Sequence, residues 1–247
     1  MYNSILAVAL RTVRHNDRTS ILTAWSPSQG RLSLVMPAGN GVESRRRRAV
    51  TMPLGLFEGV ISAARSGTLS RIRDVRTWGP DGYQPDVSSH PVRAAVAMFV
   101  AETLSVVTRE GDADQLLWQI IIETASLVAD APPTALANVP IMFLLRILRP
   151  LGIEPDWHDY VRGKGFDAVD GVFRASAPAH KNWLSGNQAR IGAILARAAE
   201  GYIHVGLPRL DRSTRNAVLN ELIDYFSLHH FPLNRLRSPA VLHALFS

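Results

Sequence analysis

The sequence predicts an α+β chain of two domains, a small five-stranded β-barrel followed by a larger helical domain. Three observations predict it. Residues 4–80 read as short strands at the two-residue period, residues from Ser88 onward switch to the period of helices, and GPDGYQPDVSSHP at 79–91 is a turn-rich stretch between them. The expected bounds are a barrel over 1–80, a linker over 81–91 and a helical domain over 92–247.

The first strand is expected over Ile5 to Val13, rich in β-branched and small apolar residues, and the second over Ser20 to Trp25, SILTAW. RLSLVM at 31–36 alternates cleanly, with Leu32, Leu34 and Met36 on one face. SPSQG joins these two strands, and its Gly30 can take the positive φ of a hairpin turn. A fourth strand is expected over Leu54 to Ile61 and a fifth over Thr68 to Trp78, where broken alternation predicts a bulge. Five short strands with one longer connection, Ala38 to Pro53, between the third and fourth suggest a Greek-key barrel of the OB type.

Helices follow. Pro91 to Val107 carries Val92, Ala95, Val96, Phe99, Val100, Leu104 and Val107 on one face, with Ser88 or Ser89 as its start signal. A second helix, capped by Asp112, presents Leu116, Leu117, Ile120, Ile121, Thr124, Leu127 and Val128, and Pro132 and Pro133 end it. A third runs from about Thr134 to Leu151 with Ile141, Phe143, Leu144, Ile147 and Leu148 as its apolar set. A short strand pair is expected around GFDAVDGVF, and further helices over Asn187 to Ala199 and Arg212 to His229.

Composition narrows the function classes. The chain has no cysteine, which excludes disulfides, thiolate nucleophiles and zinc sites built on cysteine sulfur. No apolar run is long enough to span a bilayer, and the N-terminus lacks the basic start of a signal peptide, so a cytoplasmic protein is expected. The net charge of +6 is uneven: residues 1–80 hold 12 arginines, no lysine and 4 acids, a balance of +8, against −2 for the remainder. Such a field points to a polyanionic partner on the first third of the chain.

The expected DNA-binding residues are Arg45, Arg46, Arg47 and Arg48 on the long connection, with Arg71, Arg73 and Arg76 on the last strand. A small barrel with a cationic face suits single-strand binding, in which the groove follows phosphates and aromatics stack on bases. The competing reading is a solvated loop and an ordinary charged strand. Most of Tyr2, Trp25, Phe57 and Trp78 are expected in the core, so affinity should rest on charge.

Other constellations carry less chemistry. His158 and His180 flank a loop with Asp156, Asp159, Asp167 and Asp170, but without H-E-x-x-H spacing or a compact ligand set. Gly163-Lys164-Gly165 lacks the upstream glycine and following hydroxyl of a phosphate loop. His229-His230 fits the C-terminal end of a helix. No cofactor or catalytic triad is indicated. FLLRILRPLG places Arg146 and Arg149 about one turn apart on an apolar helix, where they could receive a peptide ending in aromatics and a carboxylate, or simply edge a core.

Four stretches together resemble the bacterial DNA repair protein RecO family: ILAVALRTVRHNDRTSILTAWSPSQGRLSLVMPAG, ANVPIMFLLRILRPLGIEP, FDAVDGVF and LIDYFSLHHFPLNRLRSPAVLHALF. They lie in family order over nearly the full chain. The resemblance implies an OB barrel followed by a helical domain and a nucleoid-associated role without covalent chemistry. It further implies binding of single- and double-stranded DNA, annealing of complementary strands, and work with RecR to load RecA on strands coated by single-stranded DNA-binding protein. Family members also bind that protein's acidic C-terminal tail, a role expected here of Arg146 and Arg149. Many relatives hold a four-cysteine zinc module where this chain has Pro155 to Lys181, so zinc is not expected and packing must order the segment. Three other readings remain open: an adaptor bridging RecR and the coating protein with its arginines idle, an OB-type RNA-binding factor, and a hydrolase using the carboxylates of DWHDY and FDAVDG.

Overall fold

The computed structural model describes residues 2–62, 69–79, 87, 90–132, 135–186, 189–190, 192–193 and 210–246. The chain forms two compact units, residues 1–136 and 137–247. The stretch at 80–86, within the expected linker, lies outside the described residues.

In the first unit, β1 (Tyr2–Arg14), β2 (Thr19–Ser26), β3 (Gly30–Pro37), β4 (Leu56–Ser62) and β5 (Ser70–Thr77) close into an OB-like barrel in the order β1-β2-β3-β5-β4. All pairings are antiparallel except β3 with β5. The two-residue period sends Ile5, Ala7, Ala9, Leu22, Ala24, Leu34, Met36, Phe57, Ile61 and Ile72 inward. Three alanines among them leave room for Phe57, as a narrow barrel requires.

Two bulges bend the strands. On β1, Ala9 pairs with Ala24 and Arg11 with Thr23, so Leu10 is the extra residue. The first half of β1 thereby serves β4 and the second half β2. On β5 the extra residue is Asp74, with φ of 52°, which is the bulge expected in that strand.

The connection from β3 to β4 differs from expectation. Rather than an irregular loop it contains a helix, α1 (Val42–Val50), and the arginine run lies inside it. Only Val42 and Val50 are strongly apolar, so no periodic stripe marks α1, although arginine, alanine and glutamate are good helix formers. Val50 packs against the barrel core, and Thr12 Oγ1 donates to the Thr51 carbonyl at 3.3 Å.

Two helices complete this unit. Strand alternation turns Val8, Trp25 and Leu56 outward, yet each is at most 1 % exposed. They are covered because α2 (Pro91–Val107) lies along β1, while Trp118 of α3 (Gln115–Asp130) comes within 6.3 Å of Trp25 and 5.6 Å of Trp78. The β2–β3 hairpin then docks on the α2–α3 turn: Arg31 N donates to the Arg109 carbonyl at 2.9 Å, and Arg31 Nη1 to the Ser105 carbonyl at 2.7 Å. Gly30 is at the contact with φ of 70°, and a Cβ there would sit 2.5 Å from Asp112 N. Asp112 is therefore held by the hairpin. The cap of α3 is Asp114 instead, which accepts from Leu117 N at 2.9 Å. The cap of α2 is His90, whose Nδ1 accepts from Val92 N at 3.2 Å; Ser88 and Ser89 lie outside the described residues. Leu116, expected on the buried face of α3, is 43 % exposed, and Trp118 is buried in that face.

The second unit begins with α4 (Val139–Ile147), which buries residues on nearly every side. It stops earlier than the expected 134–151, and turns follow to Gly152 at φ of 68°. A small sheet in the order β7-β6-β8 comes next, from β6 (Gly165–Asp167), β7 (Val172–Arg174) and β8 (Trp183–Leu184). The helix expected over 187–199 falls mostly outside the described residues, of which 189, 190, 192 and 193 are helical. Then come α5 (Arg212–Leu228), capped by Asp211 on Thr214 N, and α6 (Ser238–Leu245).

Packing orders residues 155–181. Phe166 contacts Trp157 at 5.5 Å, Phe173 at 5.2 Å and Tyr225 of α5 at 5.8 Å between ring centroids. Tyr225 also donates to the Ile153 carbonyl at 2.7 Å. Beside this stack the Asp167 carboxylate, 1 % exposed, accepts from Val169 N (3.0 Å), Asp170 N (3.2 Å) and Arg174 Nε (2.9 Å), with His180 Nε2 at 3.3 Å. Burial alone would push this carboxyl up, but those hydrogen bonds and the charge of His180 outweigh it and hold it below the ordinary aspartate value. Arg174 also pairs with Asp170.

Three substitutions test this packing. Gly30→Ala should destabilise the first unit by at least about 2 kcal/mol in urea unfolding, because both its φ and the opposing backbone forbid a Cβ. Gly41→Ser, at the extended N-cap of α1, should change stability by less than about 0.5 kcal/mol. Asp167→Asn should lower the melting temperature at neutral pH by on the order of 5 °C. A depressed carboxyl stabilises the fold above its unfolded value and loses that contribution on protonation, so thermal melts of the two proteins should converge as pH falls below about 4.

Candidate nucleic-acid interface

Most of the positive excess of residues 1–80 is carried on two neighbouring elements, β5 and α1, with seven of its 12 arginines. In a regular strand Arg71 and Arg73 would share one face and Arg76, an odd step away, would take the other. The bulge at Asp74 reverses this. Arg71, Arg73 and Arg76 pair with Ser62, Val60 and Glu58 of β4, positions two apart that lie on one face of that strand. All three arginines are exposed while Ile72 between them is buried in the core, so the shared face is the outer one. Among the described residues no side chain of the three makes a hydrogen bond or ion pair.

Ser62 also pairs with Tyr2 of β1. Tyr2, Ser62 and Arg71 thus form one cross-strand row, and the Tyr2 side of it is 64 % exposed. Trp25 and Phe57 are buried as the sequence suggests, but Tyr2 adds an aromatic ring to the arginine surface. Its place at the start of a β-branched and apolar strand concealed this.

The arginine run divides by role. Successive helical residues turn by about 100°, so four adjacent arginines spread around most of the helix and cannot share a face. Arg47 is half-buried, its Nε enclosed without a hydrogen-bond partner among the described residues, and Arg48 Nη1 donates to the Gly39 carbonyl at 2.6 Å. Both stand in the last turn, where cations favour the helix dipole, opposite Glu43 in the first. Arg45 and Arg46 are exposed and, among the described residues, unpaired. The surface therefore offers Arg45 and Arg46 from α1 and three arginines from β5, all without an internal counterion.

The second unit places the remaining candidates. Arg146 is in the last turn of α4, but Arg149 lies beyond it, which corrects the expectation of two cations on one helix. Arg149 grips Glu154 with both arms of its guanidinium, Nε to Oε2 at 2.7 Å and Nη2 to Oε1 at 3.3 Å. His180 turns to Asp167, and His229 Nε2 lies 3.1 Å from the Ala168 carbonyl while capping α5. His230 takes φ of 69° just past the helix. Gly163, at φ of 93°, belongs to a turn, and Gly165 lies flat under the Trp183 ring. Among the described residues no three His, Asp or Glu gather in metal-binding geometry, and without cysteine the segment 155–181 does not fit the zinc of related proteins. No described helix is long and apolar enough to cross a membrane.

Comparison with known proteins places the chain in a family. The family model described as "Recombination protein O C terminal" matches residues 88–239. The DNA repair protein RecO of Porphyromonas gingivalis is 30 % identical over 246 residues, 97 % of each chain. That of Phocaeicola vulgatus is 28 % identical over the whole of both chains, and that of Azobacteroides pseudotrichonymphae 24 % identical over 97 % of each. With a family model over more than half its length and relatives aligned from end to end, the chain belongs to the RecO family of recombination proteins.

Proposed function

We propose that this chain is a mediator of recombinational DNA repair that acts by binding, without covalent chemistry. In this reading it holds single- and double-stranded DNA on the outer face of the barrel, anneals complementary strands, and assists RecA loading together with RecR. The observation that carries the reading is the set of five counterion-free arginines, Arg45, Arg46, Arg71, Arg73 and Arg76, on adjacent elements. Guanidinium forks without internal partners suit phosphate, and Tyr2 at the end of the Arg71 row provides a face on which a base can stack. The names of the relatives, DNA repair protein RecO, supply the biological setting.

Annealing follows from charge. Two strands repel until cations neutralise them, and release of condensed counterions drives that neutralisation. Glu58 stands opposite Arg76 and Asp74 beside it, so the face attracts phosphates while retaining local acids that favour exchange over permanent capture. Within the same reading, the acidic tail of single-stranded DNA-binding protein is received at Arg146 and Arg149. The two-armed grip of Arg149 on Glu154 is a carboxylate-binding geometry that a tail carboxylate can take over.

Binding of a fluorescent single strand across a salt series tests the DNA face. Five phosphate contacts predict a logarithmic slope near −3.5, and replacing Arg71, Arg73 and Arg76 by alanine should make it shallower by about 2. Replacing Arg45 and Arg46 should remove about 1.4, whereas Arg47→Ala should lower stability and leave the slope alone. Slopes unchanged in both multiple variants would sink the proposal. Asp74→Asn keeps a residue that tolerates positive φ and removes a carboxylate, so binding should tighten a few-fold. Reversing the charge of Arg146 and Arg149 together should abolish capture of an acidic tail peptide in a fluorescence polarisation assay and spare DNA binding.

A further inference from the structure

The second unit contains a cavity of about 170 Å³ between the small sheet and α5. This is below the roughly 300 Å³ at which small-molecule pockets begin, and it suits one long side chain. Among the described residues four aromatic rings line it, from Trp157, Phe166, Trp183 and Tyr225, together with the carboxylate of Glu221. Phe166 stacks on Trp157, so these walls are rigid.

Glu221 is unusual in this setting. It is partly buried and, among the described residues, its side chain makes no hydrogen bond or ion pair. Burial, and then repulsion from Asp224 one turn further along α5, pushes it up to about 7. The other titratable groups of the lining are Asp224, Lys181 and Tyr225, the last pushed by burial to about 12. Lys181 forms no ion pair with either acid among the described residues. Next to the cavity, Asp167 and His180 are engaged with each other, and the His229 ring lies against Tyr225 at 4.3 Å.

A carboxylate without a counter-charge among the described residues, at the edge of a desolvated site, favours an incoming cation, and the faces of aromatic rings attract the same charge. The apolar lining from Leu145, Leu222 and Leu228 suits the methylene stem that carries such a charge. Leu228 of the lining is 38 % exposed, and beyond Ala168 of the lining Val169 and Val172, at the start of β7, are 43 % and 42 % exposed. The His229 to Ala168 contact holds these two segments together. An apolar rim around a cation-selective hole fits a protein surface more than a free amine.

We propose that this cavity is a receptor for one lysine or arginine side chain of a partner protein, with Glu221 as its counter-charge and the four rings as its walls. It is separate from the arginine face of the barrel and opposite to it in the charge it selects.

The test uses the full chain labelled with 5-fluorotryptophan, reading the fluorine resonances of Trp157 and Trp183 by NMR. Capped tripeptides with central lysine or arginine should shift both resonances saturably, and the norleucine tripeptide, of similar shape but uncharged, should not. Cation binding requires the ionised carboxylate, so affinity should rise roughly tenfold from about pH 6 to about pH 8. Glu221→Gln should weaken binding at least tenfold without lowering the melting temperature, and Asp224→Asn should weaken it less. Equal binding of the norleucine peptide would overturn the proposal, as would full affinity in Glu221→Gln. Butylammonium binding as tightly as the peptides would overturn the assignment to a partner side chain, and a preference for an acidic peptide would overturn the charge.

Discussion

Closing a barrel with only five strands is the constraint on which the first unit depends. So few strands cannot meet edge to edge while straight, and β1 and β5 each take one extra residue to bend. The bulge at Leu10 lets a single strand pair with β4 and then with β2. Closure also leaves Val8, Trp25 and Leu56 facing outward at one end, where only another layer can keep them dry. That layer is α2 and α3, latched by Trp118 and by the Gly30 turn. For this reason the compact unit continues to residue 136, beyond the last strand.

The same geometry sorts the arginines. A positive residue attracts DNA only if its charge is not already spent inside the protein, so exposure and the lack of an internal partner matter more than density in the sequence. The dense run at 45–48 turns Arg48 back onto the Gly39 carbonyl and half-buries Arg47, whereas the dispersed trio on β5 is gathered into one outer row by the Asp74 bulge. A cluster that looks strongest in the sequence is thus half structural.

In the second unit the contrast lies between satisfied and unsatisfied carboxylates. Asp167 is buried and fully partnered, and with the aromatic stack it organises a segment that has no cysteine to bind metal. Glu221, a few residues from the same stack, has no partner among the described residues and lines a cavity. Burial with partners lowers a carboxyl, and burial without them raises it; the two residues show both directions in one core.

Much of this was legible in sequence. Strand-like composition, and at 31–36 a clean alternation, located the five strands, because a half-buried strand writes its period into its residues, and Gly30 announced a turn able to take positive φ. Helical periodicity placed α2, α3 and α5, and the family resemblance rested on stretches spread over the whole chain. Other features left no local mark. The helix α1 lacks an apolar stripe because it seals the barrel through a single residue, Val50. Asp112 resembles a cap as much as Asp114 does until the hairpin claims it. Arg149 reads as helical until α4 ends two residues earlier and Glu154 captures it. Periodicity and turn chemistry act over a few neighbours, so the sequence by itself determined the elements and the sign of the surface charge. Which arginines stand together, and which carboxylate is buried with partners, depends on pairing between residues far apart in the chain, and only the tertiary structure decided it.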